Sequence, residues 1–324
     1  VFWWLVAIAC GGSAVAAPAP QSRAAWQSGA DAAIPRSLVD VEARAVEVTS
    51  TGDIWVSVRE RGLVQIRGGE ASWFTVGDGL PFTGIADLHE DARGRLWAVG
   101  VDGFAILEGG SWRSQGSVGE LRPRVIFNVF EEPGGDAIWL ATSTGAGRFE
   151  DGAWSYLRAA DGLPHEVVHD VVVDASGSVW LACRSGLARL QGGEVEVVFT
   201  AANFRTALVG ADGTLWFGSS DGIYAWDGSS WARYLEGKTV YTRLLAADGA
   251  IWAGSASSGV FRHASGVWEA IELPAWLQGA EVFDLAQDRD GSIWLATAAG
   301  LGRLVAATAG DARAARQPTP PPAR

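Results

Sequence analysis

The 324-residue chain has no methionine, only two cysteines and only four histidines, and its basic residues fall well short of its acidic ones. Lys plus Arg is 25 and Asp plus Glu is 37, a formal charge of −12. A protein that lives on phosphate backbones wants a basic face, so nucleic acid is excluded as a natural partner. The first cysteine, Cys10, lies in an apolar leader. If that leader is removed, Cys183 stands alone and no intramolecular disulfide can form. Long apolar runs are also lacking. Val1–Ala9 is too short to span a bilayer and, with the small residues after it, reads as the h-region and cleavage region of a secretory signal. Ala14-Val15-Ala16 is the expected cleavage site, and Ala7-Ile8-Ala9-Cys10 is a weaker lipoprotein alternative. Residues 1–16 are therefore expected to be a signal peptide and 17–307 a folded domain. Residues 308–324, rich in Pro, Ala and Arg, are expected to form a solvated extended tail.

What the chain does have is 48% apolar residues, enough to bury a core, together with 42 glycines and 17 tryptophans. Glycine at about 13% against an ordinary ~7% implies many tight turns. The tryptophans are periodic. An aliphatic-Trp pair recurs at Trp55, Trp97, Trp139, Trp180, Trp216, Trp252 and Trp294, at intervals of 42, 42, 41, 36, 36 and 42 residues. A glycine stands three residues before six of these tryptophans. Another follows each of the seven: Gly62, Gly103, Gly145, Gly186, Gly222, Gly259 and Gly300. Between these glycines apolar and small or polar residues alternate, which is strand patterning with turns at the glycines. A second tryptophan follows about fifteen residues later at Trp112, Trp154 and Trp231, and with small insertions at Trp73 and Trp268; Val195 takes that slot in the fourth copy.

Each unit thus contains four short strands, and seven such units predict an all-β, seven-bladed β-propeller. The seventh copy lacks its outer strand. The orphan Trp26 ahead of the first copy is expected to supply it, closing the ring with an N-terminal strand. The outer tryptophans read as packing between neighbouring sheets.

Other motifs fall away on spacing. His165-Glu166-Val167-Val168-His169 matches a zinc-protease pattern that needs a helix, but on a strand its imidazoles would stand roughly 13 Å apart. Gly237-Lys238-Thr239 lacks the upstream glycine of a phosphate-binding loop and reads as a turn. The aspartates do not keep the spacing to tryptophan that sialidase-type boxes require. If the first strand of each unit is innermost, the inter-unit loops share a face with the loops after each Trp strand. Arg122, Arg124, His165, Glu166, Arg205, Tyr241, Arg243, Trp276 and Asp284 are then the candidate ligand-binding residues, with Arg36, Arg59, Arg61, Arg184 and Glu281 nearby. Guanidinium forks suit carboxylates and sugar oxygens. No catalytic, metal-binding or cofactor-binding residue is assigned.

The repeat is best seen in Asp161-Gly162-Leu163-Pro164, Asp174-Ala175-Ser176-Gly177-Ser178-Val179-Trp180 and Ser185-Gly186-Leu187-Ala188-Arg189-Leu190. It resembles the two-component regulator propeller repeat over about residues 40 to 305. In that family such propellers form the periplasmic sensor of hybrid histidine kinases, often respond to carbohydrate, and commonly precede a further β-domain, a membrane helix and a kinase. The resemblance implies an exported, periplasmic, non-enzymatic sensor for a glycan or small anionic molecule. It further implies a membrane histidine kinase as partner, encoded separately or missing from this chain. Two other classes compete: a metal-dependent lyase of the streptogramin type, for which His89, His165, His169 and His263 are scattered, and a protein-interaction scaffold.

Overall fold

The computed structural model describes residues 26–28 and 34–306, apart from residues 81, 102, 116, 117, 136, 201, 241 and 242. The expected signal peptide, the tail and Tyr241 lie outside the described residues. Seven antiparallel four-stranded sheets follow one another along the chain. In the first blade the strands are Ala43–Val48, Ile54–Val58, Gly62–Arg67 and Glu70–Phe74. The innermost strands of the remaining blades are Ile85–Glu90, Ile126–Glu131, Val168–Val173, Phe204–Val209, Arg243–Ala247 and Val282–Gln287. They touch one another in sequence around the ring, which places them on the central channel.

The repeated tryptophans explain why the strands stack. Trp55, Trp97, Trp139, Trp180, Trp216, Trp252 and Trp294 are all buried in second strands. Four outer tryptophans pack edge-on against an aromatic of the blade before. Trp112 meets Trp55 at 6.2 Å, Trp154 meets Phe104 at 6.2 Å, Trp231 meets Trp180 at 6.2 Å and Trp268 meets Trp216 at 5.9 Å. Such T-shaped pairs add to the area they bury. Val195 in the fourth blade takes the same slot as a smaller, partly buried residue.

A second device fixes the tryptophans. The carboxylates of Asp91 and Asp174 each accept the indole N–H of the tryptophan six residues on, at 2.8 Å, and Asp288 does so at 3.1 Å. In the third blade Glu132 reaches Trp139 from seven residues away. Arg95 and Arg148 hold Asp91 and Glu132 as carboxylates, and both acids lie below the usual range. A buried donor that would otherwise cost about 1–3 kcal/mol is thereby satisfied.

The last blade is Val282–Gln287, Ile293–Thr297 and Gly300–Ala306 with Trp26–Ser28 as its outer strand, pairing Trp26 with Ala306 and Ser28 with Leu304. One short N-terminal strand therefore closes the ring. A chain beginning at residue 34 should lose roughly 2 kcal/mol, about 4 to 8 °C in Tm, relative to one beginning at residue 26. It should also self-associate through the uncovered Gly300–Ala306 edge, which sedimentation would detect. Equal Tm and a monomer in both would refute the closure.

Candidate functional site at the channel mouth

The innermost strands begin on the face that carries the inter-blade loops, and backbone hydrogen bonds join those loops to the hairpins between second and third strands. Arg59 N–H donates to Glu42, Ser143 to Val125, Arg184 to Val167 and Ser220 to Asn203. This upper face is the one the sequence pattern assigned to the arginines.

At its centre is a cavity of about 180 Å³. The second residue of successive inner strands lines it: Arg44, Ala86, Phe127, His169, Arg205 and Phe283. Each sits at a bulge where the inner strand slips one residue against its neighbour, so that the side chain turns to the channel instead of into the ladder. Five of these residues stand eleven before the repeated tryptophan, and Phe127 twelve. That offset is a sequence signal, and it would have found Arg44, Phe127, His169 and Phe283, which loop position alone did not.

Below this layer the third residues close the ring. Asp284, 4% exposed, accepts the N–H groups of Val46 in the next blade at 2.9 Å and of Leu285 at 2.8 Å. Asp170 likewise accepts from Ala207 and Val171, both at 2.8 Å. Asp87 accepts from Val129 at 3.0 Å and from the Asn128 amide at 3.1 Å. These aspartates are latches between blades. Asp284 lines the cavity, but its oxygens accept backbone N–H groups, so it forms the floor of the site.

The cavity is also faced by two arginines, an imidazole, an amide and the half-buried Glu281 carboxylate. Arg205 is exposed, and Arg44 is half-buried with its guanidinium carbon 4.1 Å from the Phe283 ring centroid and an ion pair to Glu42. His169 is 7% exposed, packs edge-on to Phe127 at 4.9 Å, and its buried Nε2 has no hydrogen-bond partner. The buried Asn128 Oδ1 is also unpartnered. Burial, reinforced by the charges of Arg205, Arg184 and His165, pushes the His169 pKa down to about 3. The imidazole is neutral at pH 7 and offers one donor and one acceptor.

The other sequence candidates surround this centre without lining it. Arg122, with φ +43°, Arg124 and Glu166 are exposed on inter-blade loops. His165 is half-buried and its Nδ1 accepts the Val167 N–H at 2.9 Å. Trp276, 44% exposed, stands on the short turn Ala275–Leu277. Arg243 begins its inner strand opposite Gly254, and its side chain, like Tyr241, lies outside what is described. Gly237 and Lys238 form a turn between blades. Cys183 is fully buried, with its thiol pushed up to about 12, and so is no nucleophile. Among the described residues no group of three or more His, Cys, Asp or Glu is arranged to hold a metal, and no helix is long and apolar enough to cross a membrane.

The fold and mouth define a seven-bladed propeller with a small, polar, ring-centred site. Residues 277–299 match the family model described as two component regulator propeller. No curated protein matches the chain. Among solved structures it is similar to a streptogramin B lyase, with 17% identity and a TM-score of 0.70 over 83% of this chain and 95% of that one. It is also similar to an extracellular domain assigned to a hybrid two component system of B. thetaiotaomicron, with 14% identity and a TM-score of 0.72. That match covers 83% of this chain and 40% of the other. Virginiamycin B lyase from Staphylococcus aureus matches with 16% identity and a TM-score of 0.67, over 83% of this chain and 97% of that one. At these identities the likeness is one of fold.

Proposed function

We propose that this propeller is an exported recognition module that binds a small anionic or sugar-derived ligand at the upper channel mouth and passes the binding event to a signalling partner. The carrying observation is the pairing of Arg205 and Arg44 with two buried, unpartnered polar atoms, His169 Nε2 and Asn128 Oδ1, in one cavity. A ligand carboxylate would lie on the guanidinium groups, while a neighbouring hydroxyl would answer the imidazole and the amide. The cavity admits one small group. A longer glycan would run outward over the rim carrying Arg122, Arg124, His165, Glu166 and Trp276. The match to the two component regulator propeller model and the resemblance to an extracellular domain of a hybrid two component system support both the signalling role and export.

A panel of sugar acids, neutral sugars and simple carboxylates, read by thermal unfolding, tests this. A ligand at 100 times its Kd adds about 2.7 kcal/mol. Arg205→Ala and Arg44→Ala should each weaken the active compound by roughly 10- to 100-fold without lowering the unliganded Tm, as expected for a charged hydrogen bond worth about 1.5–3 kcal/mol. Unchanged affinity in both variants would sink the proposal.

The likeness to streptogramin B lyase favours a second reading, a metal-dependent lyase. His165 and His169 stand near the upper mouth, His89 is near the lower end of an inner strand beside Glu131, and His263 lies in a third strand. Ligand binding abolished by chelator, with turnover of a streptogramin B, would move that reading ahead.

A further inference from the structure

The aspartate that accepts the tryptophan indole in the second, fourth and seventh blades is missing from the fifth, where Gly210 stands six residues before Trp216. Trp216 is only 5% exposed, and its buried Nε1 has no hydrogen-bond partner. A Cβ built on Gly210 would lie 3.1 Å from that nitrogen and 2.9 Å from an Asp212 carboxylate oxygen, so the glycine keeps a narrow space between the indole and Asp212 that a larger residue would fill.

The space is a cavity of about 370 Å³ between the fifth and sixth blades. It opens among the loops that join first to second strands, on the face opposite the arginine mouth, and shares no lining residue with it. Small residues such as Ala211, Ala247 and Gly249 leave it room, and its size falls within the ordinary range for ligand pockets, about 300–1,000 Å³.

Its polar groups define what it would take. His263 presents a second buried, unpartnered atom, Nε2, and stacks obliquely on Trp216 at 5.0 Å between centroids. Asp212 and Asp248 line the wall, with Gln287 donating to Asp248, and no Arg or Lys is part of it. Two carboxylates and no cation disfavour an anion. An unpartnered indole N–H demands an acceptor, which an ammonium cannot supply. A hydroxyl meets every requirement, because its oxygen accepts from the indole while its proton goes to imidazole or carboxylate.

We infer that the cleft between the fifth and sixth blades is a second binding site, specific for the vicinal hydroxyls of a polyol or neutral sugar, with Trp216 and His263 as its fixed hydrogen-bonding pair. The carboxylates of Asp212 and Asp248 accept the remaining hydroxyl protons, and the small side chains face the carbon skeleton.

The test is an NMR titration of protein labelled at its indole nitrogens, with myo-inositol, glucose, galactose, ribitol and glycerol as probes. The Trp216 indole signal, assigned by its loss in Trp216→Phe, should shift saturably with at least one of them. Gly210→Asp restores the carboxylate of the other blades; it should move the indole signal toward those of Trp97 and Trp180 and weaken binding at least tenfold. Ala211→Trp, on the exposed loop, should narrow the entrance with the same effect on affinity and leave the core untouched. Arg205→Ala should leave the titration unchanged, which separates this site from the upper mouth. Absence of a saturable shift with every probe, or wild-type binding in Gly210→Asp or Ala211→Trp, would overturn the inference and leave the cleft to water.

Discussion

Acidification from pH 7 to 4.5 should cost the protein about 2 kcal/mol of stability that a His169→Gln variant does not lose. In the folded chain burial and the charges of Arg205, Arg184 and His165 hold the imidazole pKa at about 3, against 6.5 unfolded. Between those values the unfolded chain carries a proton that the folded chain does not. Stability therefore rises with pH across that window and is lost as pH falls, by up to 1.4 kcal/mol per unit for one proton. Above pH 6.5 the contribution is constant. The carboxylates engaged by arginine and indole, Asp53, Asp91 and Glu132 among them, have lowered pKa values. Their stabilisation is fully present above the unfolded carboxylate range and fails only at lower pH, so the window from 6.5 to 4.5 belongs to histidine. Burial also lowers His263, which adds in the same direction and is common to both proteins. Urea midpoints at pH 7, 5.5 and 4.5 measure the difference. Parallel curves for wild type and variant would show that His169 titrates as if it were in water.

The same residue shows where sequence reading stops. The period of the tryptophans and glycines made seven four-stranded blades legible, because a repeat writes the same packing problem seven times. The orphan Trp26 made the closure legible for the same reason: one slot was vacant and one strand was spare. The aspartates six residues before Trp97, Trp180 and Trp294 were visible too, but their spacing served only to exclude another propeller family. That their carboxylates bond the indoles requires knowing that the turn after each first strand points its aspartate back at the tryptophan of the next strand. The mouth was half legible. Topology assigned the arginine loops to one face, and Arg205 and Asp284 line the cavity there. Arg44, Phe127, His169 and Phe283 were lost among strand residues, because a one-residue bulge turns them to the channel and nothing in an alternating pattern announces a bulge. Asp284 was legible as a position and misleading as a role, since only the fold reveals that the Val46 N–H of another blade needs it.

Gly145→Ala should be among the most damaging single substitutions outside the core, at about 3–5 kcal/mol, which in a chain of this size lowers Tm by roughly 10 °C. The glycine that follows every repeated tryptophan looks in sequence like an ordinary turn residue. Here it does two things at once. Its φ is +123°, outside the region where side-chain-bearing residues are at ease, and an added Cβ would stand 2.2 Å from the carbonyl oxygen of Leu157, which ends the outer strand. Gly186 meets the Phe199 carbonyl in the same way at 2.2 Å. Because the obstacle is backbone, it cannot swing aside as a side chain would. Relief requires the outer strand to peel from the third, which breaks the Ala146 to Leu157 pairing and displaces the Trp154 that packs on the blade before. The hydroxyl of Thr142, which caps the Gly145 carbonyl at 2.8 Å, would be strained with it. Gly192→Ala is the control: its φ of +60° is left-handed, but no atom lies within 4 Å of an added Cβ, so only the backbone penalty of about 1 kcal/mol remains. Thermal unfolding of the two variants side by side separates the causes. Equal losses would mean that the seven glycines are kept for their dihedral angle alone and that the outer strands are freer to move than the carbonyl contact implies.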